Sequence, residues 1–247
     1  MTKQRKSWLA RKFLMKRTSA ISEFGLEADI EALANNSTQV AFLDPSEFQQ
    51  GDQIGQGEYS LIYSIQGFCL EDSNTSKHNN NNNNNKLSPE EAAAATEMRK
   101  RREQIKEGAL TNGPEQFILK KFNKKYLKDK ATLKRGAVKL ITEARVLGML
   151  QGETTHSVTL KAMNLDVLDG IRDFENFFLL TDRLNDTLAN RIDCWRKESI
   201  DKGEAPNDDR IPMKSNYAYQ IAKAVKACHD NGIMVCTLFF CACALLI

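Results

Sequence analysis

Apolar positions along the chain change period several times, and each change predicts an element. Strand-like runs separated by turn residues begin at Phe48. "IGQGEYSLIY", residues 54 to 63, sets a glycine turn before a β-branched and aromatic run, which predicts a hairpin. "QFILKKF" predicts a strand in which Ile118, Lys120 and Phe122 share a face. "KRGAVKLITEARVLGML" predicts an amphipathic helix with Leu140, Leu147 and Leu150 on one stripe. "FENFFLLTDRL" predicts a buried strand. "NDTLANRIDCW" predicts a helix capped by Asn185 or Asp186, with Leu188, Ile192 and Trp195 at i, i+4 and i+7. "SNYAYQIAKAVKACHDNG" predicts another, with Tyr217, Ile221, Ala224 and Cys228 inward and Gly232 at its stop. Strands, a helix, strands and then helices imply an α+β fold: a small sheet domain leading into a helical one.

Three stretches break this pattern. Residues 1–47 read as a polar, basic, disordered leader. Residues 66–115 read as a low-complexity insertion. Its Asn run cannot bury apolar surface. "SPEEAAAATEMRKRREQIKEG" within it predicts a solvent-exposed helix, with Ser88 as cap, Pro89 at the first position and Gly108 at the end. Residues 236–247 form an uncharged tail. "IMVCTLFFCACALLI" holds fifteen residues without a charge, short of the roughly 20 a membrane span needs.

Composition narrows the function classes modestly. The chain has 247 residues, enough for a real core, and its net charge of +3 gives no reason to propose a nucleic-acid partner. None of the six cysteines makes a CxxC pair, so a reducing compartment is expected, with neither a disulfide framework nor a zinc site. That points to a cytoplasmic location. The leader carries seven basic residues before Ala20 but no continuous apolar core, so a secretory signal is not expected. Trp8, Leu9 and Phe13 could serve a presequence or a membrane-surface helix; a solvated basic tail is the expected state.

Candidate chemistry centres on the glycine turn. "IGQGEYS" lacks the Walker GxxxxGK[ST], and Ser60 stands where a dinucleotide fingerprint needs its third glycine. A glycine turn inside a β-hairpin is a different device. Gly55 and Gly57 let the backbone lie close over phosphates; the alternative is an ordinary hairpin turn. Lys120 lies between apolar neighbours on its strand. Glu143 lies on the leucine stripe of its helix, where a carboxylate is costly unless paired. A strand lysine and an inward helix glutamate can pair, and the lysine can then meet phosphates.

With these pieces in order, residues 48 to 235 resemble the protein kinase family. "IGQGEYSLIY" is similar to its glycine-rich loop, bringing in Ile54, Gly55, Gln56, Gly57 and Ser60, with Ile62 at the position that packs on adenine. "FILK" resembles the VAIK strand and "ITEARVLGML" the family's helix C. The resemblance implies that Lys120 binds phosphate and Glu143 is its ion-pair partner. "FFLLTDRLNDTL" resembles the fifth strand and hinge, implying Thr181 as gatekeeper, with the backbone of Asp182 and Leu184 at the adenine edge. His156 and His229 match packing positions. The implied activity is ATP-dependent phosphorylation of protein serine or threonine, in a kinase-like fold with a small antiparallel sheet. ATP is the implied cofactor, with magnesium expected for the family.

The resemblance stops after "HDNGIMV". Val235, Cys236 and Thr237 stand where the family has His-Arg-Asp, and Thr237 cannot act as the catalytic aspartate does. The expectation is an incomplete kinase domain over 48–235, truncated or inactive, without the metal-holding residues. "VC" is what a retained intron beginning GTATGT or GTGTGT would encode. The alternative is a non-catalytic, pseudokinase-like binding module, which could be membrane-attached, with "KKFNKKYLKDKATLKR" as a charged docking face. Without the rest of the helical lobe, Trp195, Tyr217 and Ile221 are expected to be partly exposed.

Overall fold

The computed structural model describes residues 40–69, 89–164, 177–184, 186–201 and 211–234. The leader before Val40, the Asn run, Asn185 and everything from Val235 on, Thr237 included, lie outside the described residues. Six strands form one sheet: β1 (Ala41–Leu43), β2 (Phe48–Gln56), β3 (Ser60–Phe68), β4 (Phe117–Phe122), β5 (Leu160–Asn164) and β6 (Phe178–Asp182). Four helices are described: α1 (Pro89–Asn112), α2 (Lys130–Leu150), α3 (Leu188–Asp201) and α4 (Ile211–Asp230). The class is α+β.

The strand order is β1-β5-β6-β4-β3-β2. Neighbours from β2 to β6 run antiparallel, but β1 runs parallel to β5. The sheet is therefore mixed, not purely antiparallel, and it starts seven residues before the change of texture at Phe48. Ala41, Phe42 and Leu43 are all buried. Four apolar residues, Val40 to Leu43, in a polar stretch carry too short a pattern to read as a strand; pairing with β5 supplies the rest.

Register sorts the sheet into two faces. Gly55, Ile62, Lys120, Leu179, Met163 and Phe42 pair in turn across all six strands. The adjacent row runs Gln53, Tyr63, Leu119, Leu180, Ala162 and Ala41. Side chains alternate along a strand, so the rows face opposite ways. The first row carries Lys120 and meets α2. The second belongs to a core with Phe48, Ile65, Phe117 and Phe178, to which α1 contributes Ile105. Edge-to-face rings at Phe48–Phe178 (4.8 Å) and Phe68–Phe117 (5.6 Å) pack there.

The inserted helix is thus not wholly solvent-exposed. Met98, Ile105 and Ala109 pack on the core, and Arg102 completes the same stripe at spacings of four, three and four. A basic residue in the middle of a narrow stripe disguises it in the sequence. Nor does Gly108 end α1, which runs on to Asn112. A Cβ on Gly108 would come within 3.2 Å of Gln116 Nε2 and 3.4 Å of Phe117 Cζ, so this glycine admits close approach of the following segment.

Helix α2 begins at Lys130, where Asp129 Oδ1 accepts from the Ala131 amide at 3.2 Å and Oδ2 from the Thr132 hydroxyl. Leu140, Leu147 and Leu150 are buried, as the stripe predicts.

The chain divides into two units, residues 1–148 with 160–182, and residues 149–159 with 183–247. The second holds α3 and α4. Thr187 rather than Asp186 caps α3, its hydroxyl accepting from the Asn190 amide at 3.1 Å; Asn185, the other expected cap, lies outside the described residues. Ala224 and Cys228 are buried. Gly232, at φ 72°, ends the α4 region: its amide donates to His229 and that of Ile233 to Cys228 at 2.8 Å. Trp195 is more buried than expected, with its ring 5.5 Å from that of Tyr217 and Lys214 Nζ 5.7 Å above it. Tyr217 and Ile221 are half-buried.

Candidate nucleotide site

Lys120 stands on β4 because Phe117, Leu119 and Phe122, all buried, anchor that strand on both faces of the sheet. Its neighbours across the sheet are Ile62 and Leu179. Glu143 lies on α2 among Leu140, Ala144 and Leu147, all buried. The Lys120 ammonium donates to both Glu143 carboxylate oxygens at 2.7 Å. The side chains retain 22% and 32% of their exposure, so the pair is only partly desolvated. An ammonium has three donors, and two go to the carboxylate. The third fits an anion such as a phosphate oxygen.

The glycine turn sits at the end of the same row. Gly55 pairs with Ile62, and Ile62 with Lys120, so one glycine and the lysine are separated by a single strand. Gln56 pairs with Leu61 and is exposed. Ile54 remains 45% exposed, which leaves its side chain available for an apolar ligand surface. The Gly57 amide donates to the Ser60 carbonyl at 2.8 Å, closing the turn. A Cβ on Gly57 would lie 2.7 Å from Ser60 Oγ, so a side chain there would have to turn the Ser60 hydroxyl aside. Ser60 is buried.

Thr181 lies on the face of β6 that carries Leu179, paired with Ile118 and Leu160, and is buried. The Asp182 carboxylate meets Lys161 Nζ at 3.2 Å. Asp182 ends the first unit; Leu184 belongs to the second and is half-buried. The structure thus places Gly55, Ile62 and Lys120 on one row with Glu143 paired to Lys120, with Gly57 and Ser60 in the adjoining turn and Thr181 two residues along β6 from that row, on the same face.

Sequence reasoning missed the partners of the turn's tip. Lys139 pairs with Glu58, and its Nζ lies 4.7 Å from the Tyr59 ring centroid. The Tyr59 ring lies 5.6 Å from that of Tyr126, and its carbonyl accepts from the Asn123 amide at 2.8 Å. The Lys139 ammonium holds the Glu58 carboxyl below its ordinary value, chiefly through their hydrogen bond. A hydrogen bond to Glu58 pushes the Tyr59 hydroxyl up. The one signal in the sequence was Lys139 four residues before Glu143.

Among the described residues, no three or more His, Cys, Asp or Glu side chains gather as a metal site, so no magnesium position is assigned to them. Among the same residues, no helix is long and apolar enough to cross a membrane. Among the described residues, Cys69, Cys194 and Cys228 form no disulfide. No protein-family model matches the chain, and no curated protein matches it.

Proposed function

We propose that this chain is a protein-kinase-like, ATP-binding protein. The observation that carries the reading is the two-oxygen Lys120–Glu143 pair on the same row as Gly55 and Ile62. In this reading Lys120 meets the α- and β-phosphates, and Glu143 holds its ammonium in place. Gly55, Gly57 and Ser60 cover the phosphates. Ile54 and Ile62 pack on adenine, while Thr181 and Asp182 border its edge. A partly desolvated cation strengthens its hold on an anion, because the local dielectric is lower than in water.

The family activity that this reading implies is phosphorylation of protein serine or threonine. Thr237, where the resemblance places the catalytic aspartate, offers no base at neutral pH. The chain as written therefore binds ATP without transferring its phosphate. Calorimetric titration of the full chain with ATP tests the binding. The wild type binds, and Lys120→Ala loses binding while keeping its thermal midpoint within a few degrees. A folded wild type without ATP affinity, or a Lys120→Ala variant of equal affinity, overturns the reading.

A further inference from the structure

We propose that Lys139 is a positioning residue for the nucleotide site, clamping the tip of the β2–β3 turn to α2 and leaving Glu143 wholly to Lys120. This rests on the nucleotide-binding reading above. The clamp consists of the Glu58–Lys139 ion pair, the Lys139 ammonium over the Tyr59 ring and the Tyr59–Tyr126 ring contact. The Asn123–Tyr59 main-chain bond ties the same tip to the segment between β4 and α2. The ion pair alone is weak, since its side chains remain 45% and 63% exposed. Its weight comes from one ammonium serving a carboxylate and a ring at once.

Spacing gives the clamp its second role. Lys139 and Glu143 are four residues apart on α2, so they share a helix face. Two ammonium groups, Lys120 and Lys139, are therefore within reach of one carboxylate. The structure divides them: Lys120 takes both oxygens of Glu143, and Glu58 takes Lys139. Neutralising Glu58 releases Lys139 onto Glu143, where it competes with Lys120. Removing Lys139 loosens the turn but leaves Lys120 its partner. The two partners of one ion pair are thus unequal in their effect on the site, which a purely structural bridge would not produce.

The test is a double-mutant cycle on the full chain with two readouts: ATP affinity, and amide exchange at Gly57 to Ser60 without nucleotide. Glu58→Gln weakens ATP binding about tenfold, and Lys139→Ala only about threefold. The double variant returns to the Lys139→Ala level, because no second ammonium is left to compete. Exchange at the turn rises several-fold in all three variants, and their thermal midpoints stay together. Unchanged exchange in the single variants overturns the clamp whether or not ATP binds. Raised exchange with equal or multiplicative losses of affinity overturns the competition for Glu143. A wild type that binds no ATP, with the exchange pattern as expected, leaves the clamp standing and removes the nucleotide reading instead.

Discussion

Arg102 of α1 donates to the main-chain oxygen of Phe42 at 3.1 Å and pairs with Glu47, tying the inserted helix to the strand that opens the sheet. Glu47 in turn accepts from the Asp44 amide at 2.7 Å, and Asp44 caps the short turn at Pro45–Glu47. One guanidinium thus joins α1, β1 and the turn into β2. Arg102→Ala removes a charge-assisted pair and leaves the Phe42 carbonyl without this donor. The expected loss is about 2 kcal/mol, read from urea unfolding of the full chain. A loss under about 0.5 kcal/mol would place α1 outside the cooperative fold.

Ile105 and Leu110 test the same helix through packing. Ile105 is 4% exposed in the core, whereas Leu110 is 79% exposed. Ile105→Ala removes buried volume and costs about 2–4 kcal/mol, while Leu110→Ala stays within about 0.5 kcal/mol of wild type. Equal effects in thermal unfolding would show that the insertion packs on nothing.

Gly136 lets α2 lie close against Phe122 of β4. A Cβ there would overlap the Phe122 ring and approach Tyr59 Cδ1 to 3.0 Å. Gly136→Ala gains helix propensity of up to about 1 kcal/mol but must push α2 away from β4. The net expectation is destabilisation of about 1–3 kcal/mol, with faster amide exchange at Tyr59 and Asn123. A more stable Gly136→Ala variant would refute the close approach.

The clamp at the turn also has a pH signature. Lys139 lies closest to Glu58, with Tyr59 hydrogen-bonded to it and Arg135 contributing charge. The folded carboxyl titrates below its ordinary value of 4.5. A depressed carboxyl contributes stability above its unfolded pKa and loses it as pH falls through the folded one. Exchange protection at Gly57 to Ser60, corrected for intrinsic rates, is expected to be flat from pH 7 to about 5. It falls only below the ordinary carboxylate range. A loss of protection centred above pH 5 would contradict the Glu58–Lys139 pair.

Much of the candidate site was legible in the sequence because its signals are local. Lys120 on an alternating strand and Glu143 on a leucine stripe are each readable within a dozen residues, and the structure brings them to 2.7 Å. The glycines of the turn and the inward residues of α2 and α4 were readable for the same reason. The cap of α3 was not, because Asn185, Asp186 and Thr187 are all competent and only the local backbone selects among them.

Taken by itself, the sequence determined the periodic elements, the α+β order and the residue types able to pair at Lys120 and Glu143. Side-chain period and helix capping act over a few residues, so they need no knowledge of the rest of the chain. Tertiary structure decided what pairs over long separations. It paired β1 with β5 and turned the α1 stripe into core. It also set Arg102 on Glu47 across 55 residues and Lys139 on Glu58 across 81. Those contacts depend on which surfaces the sheet brings together, and no local pattern encodes that.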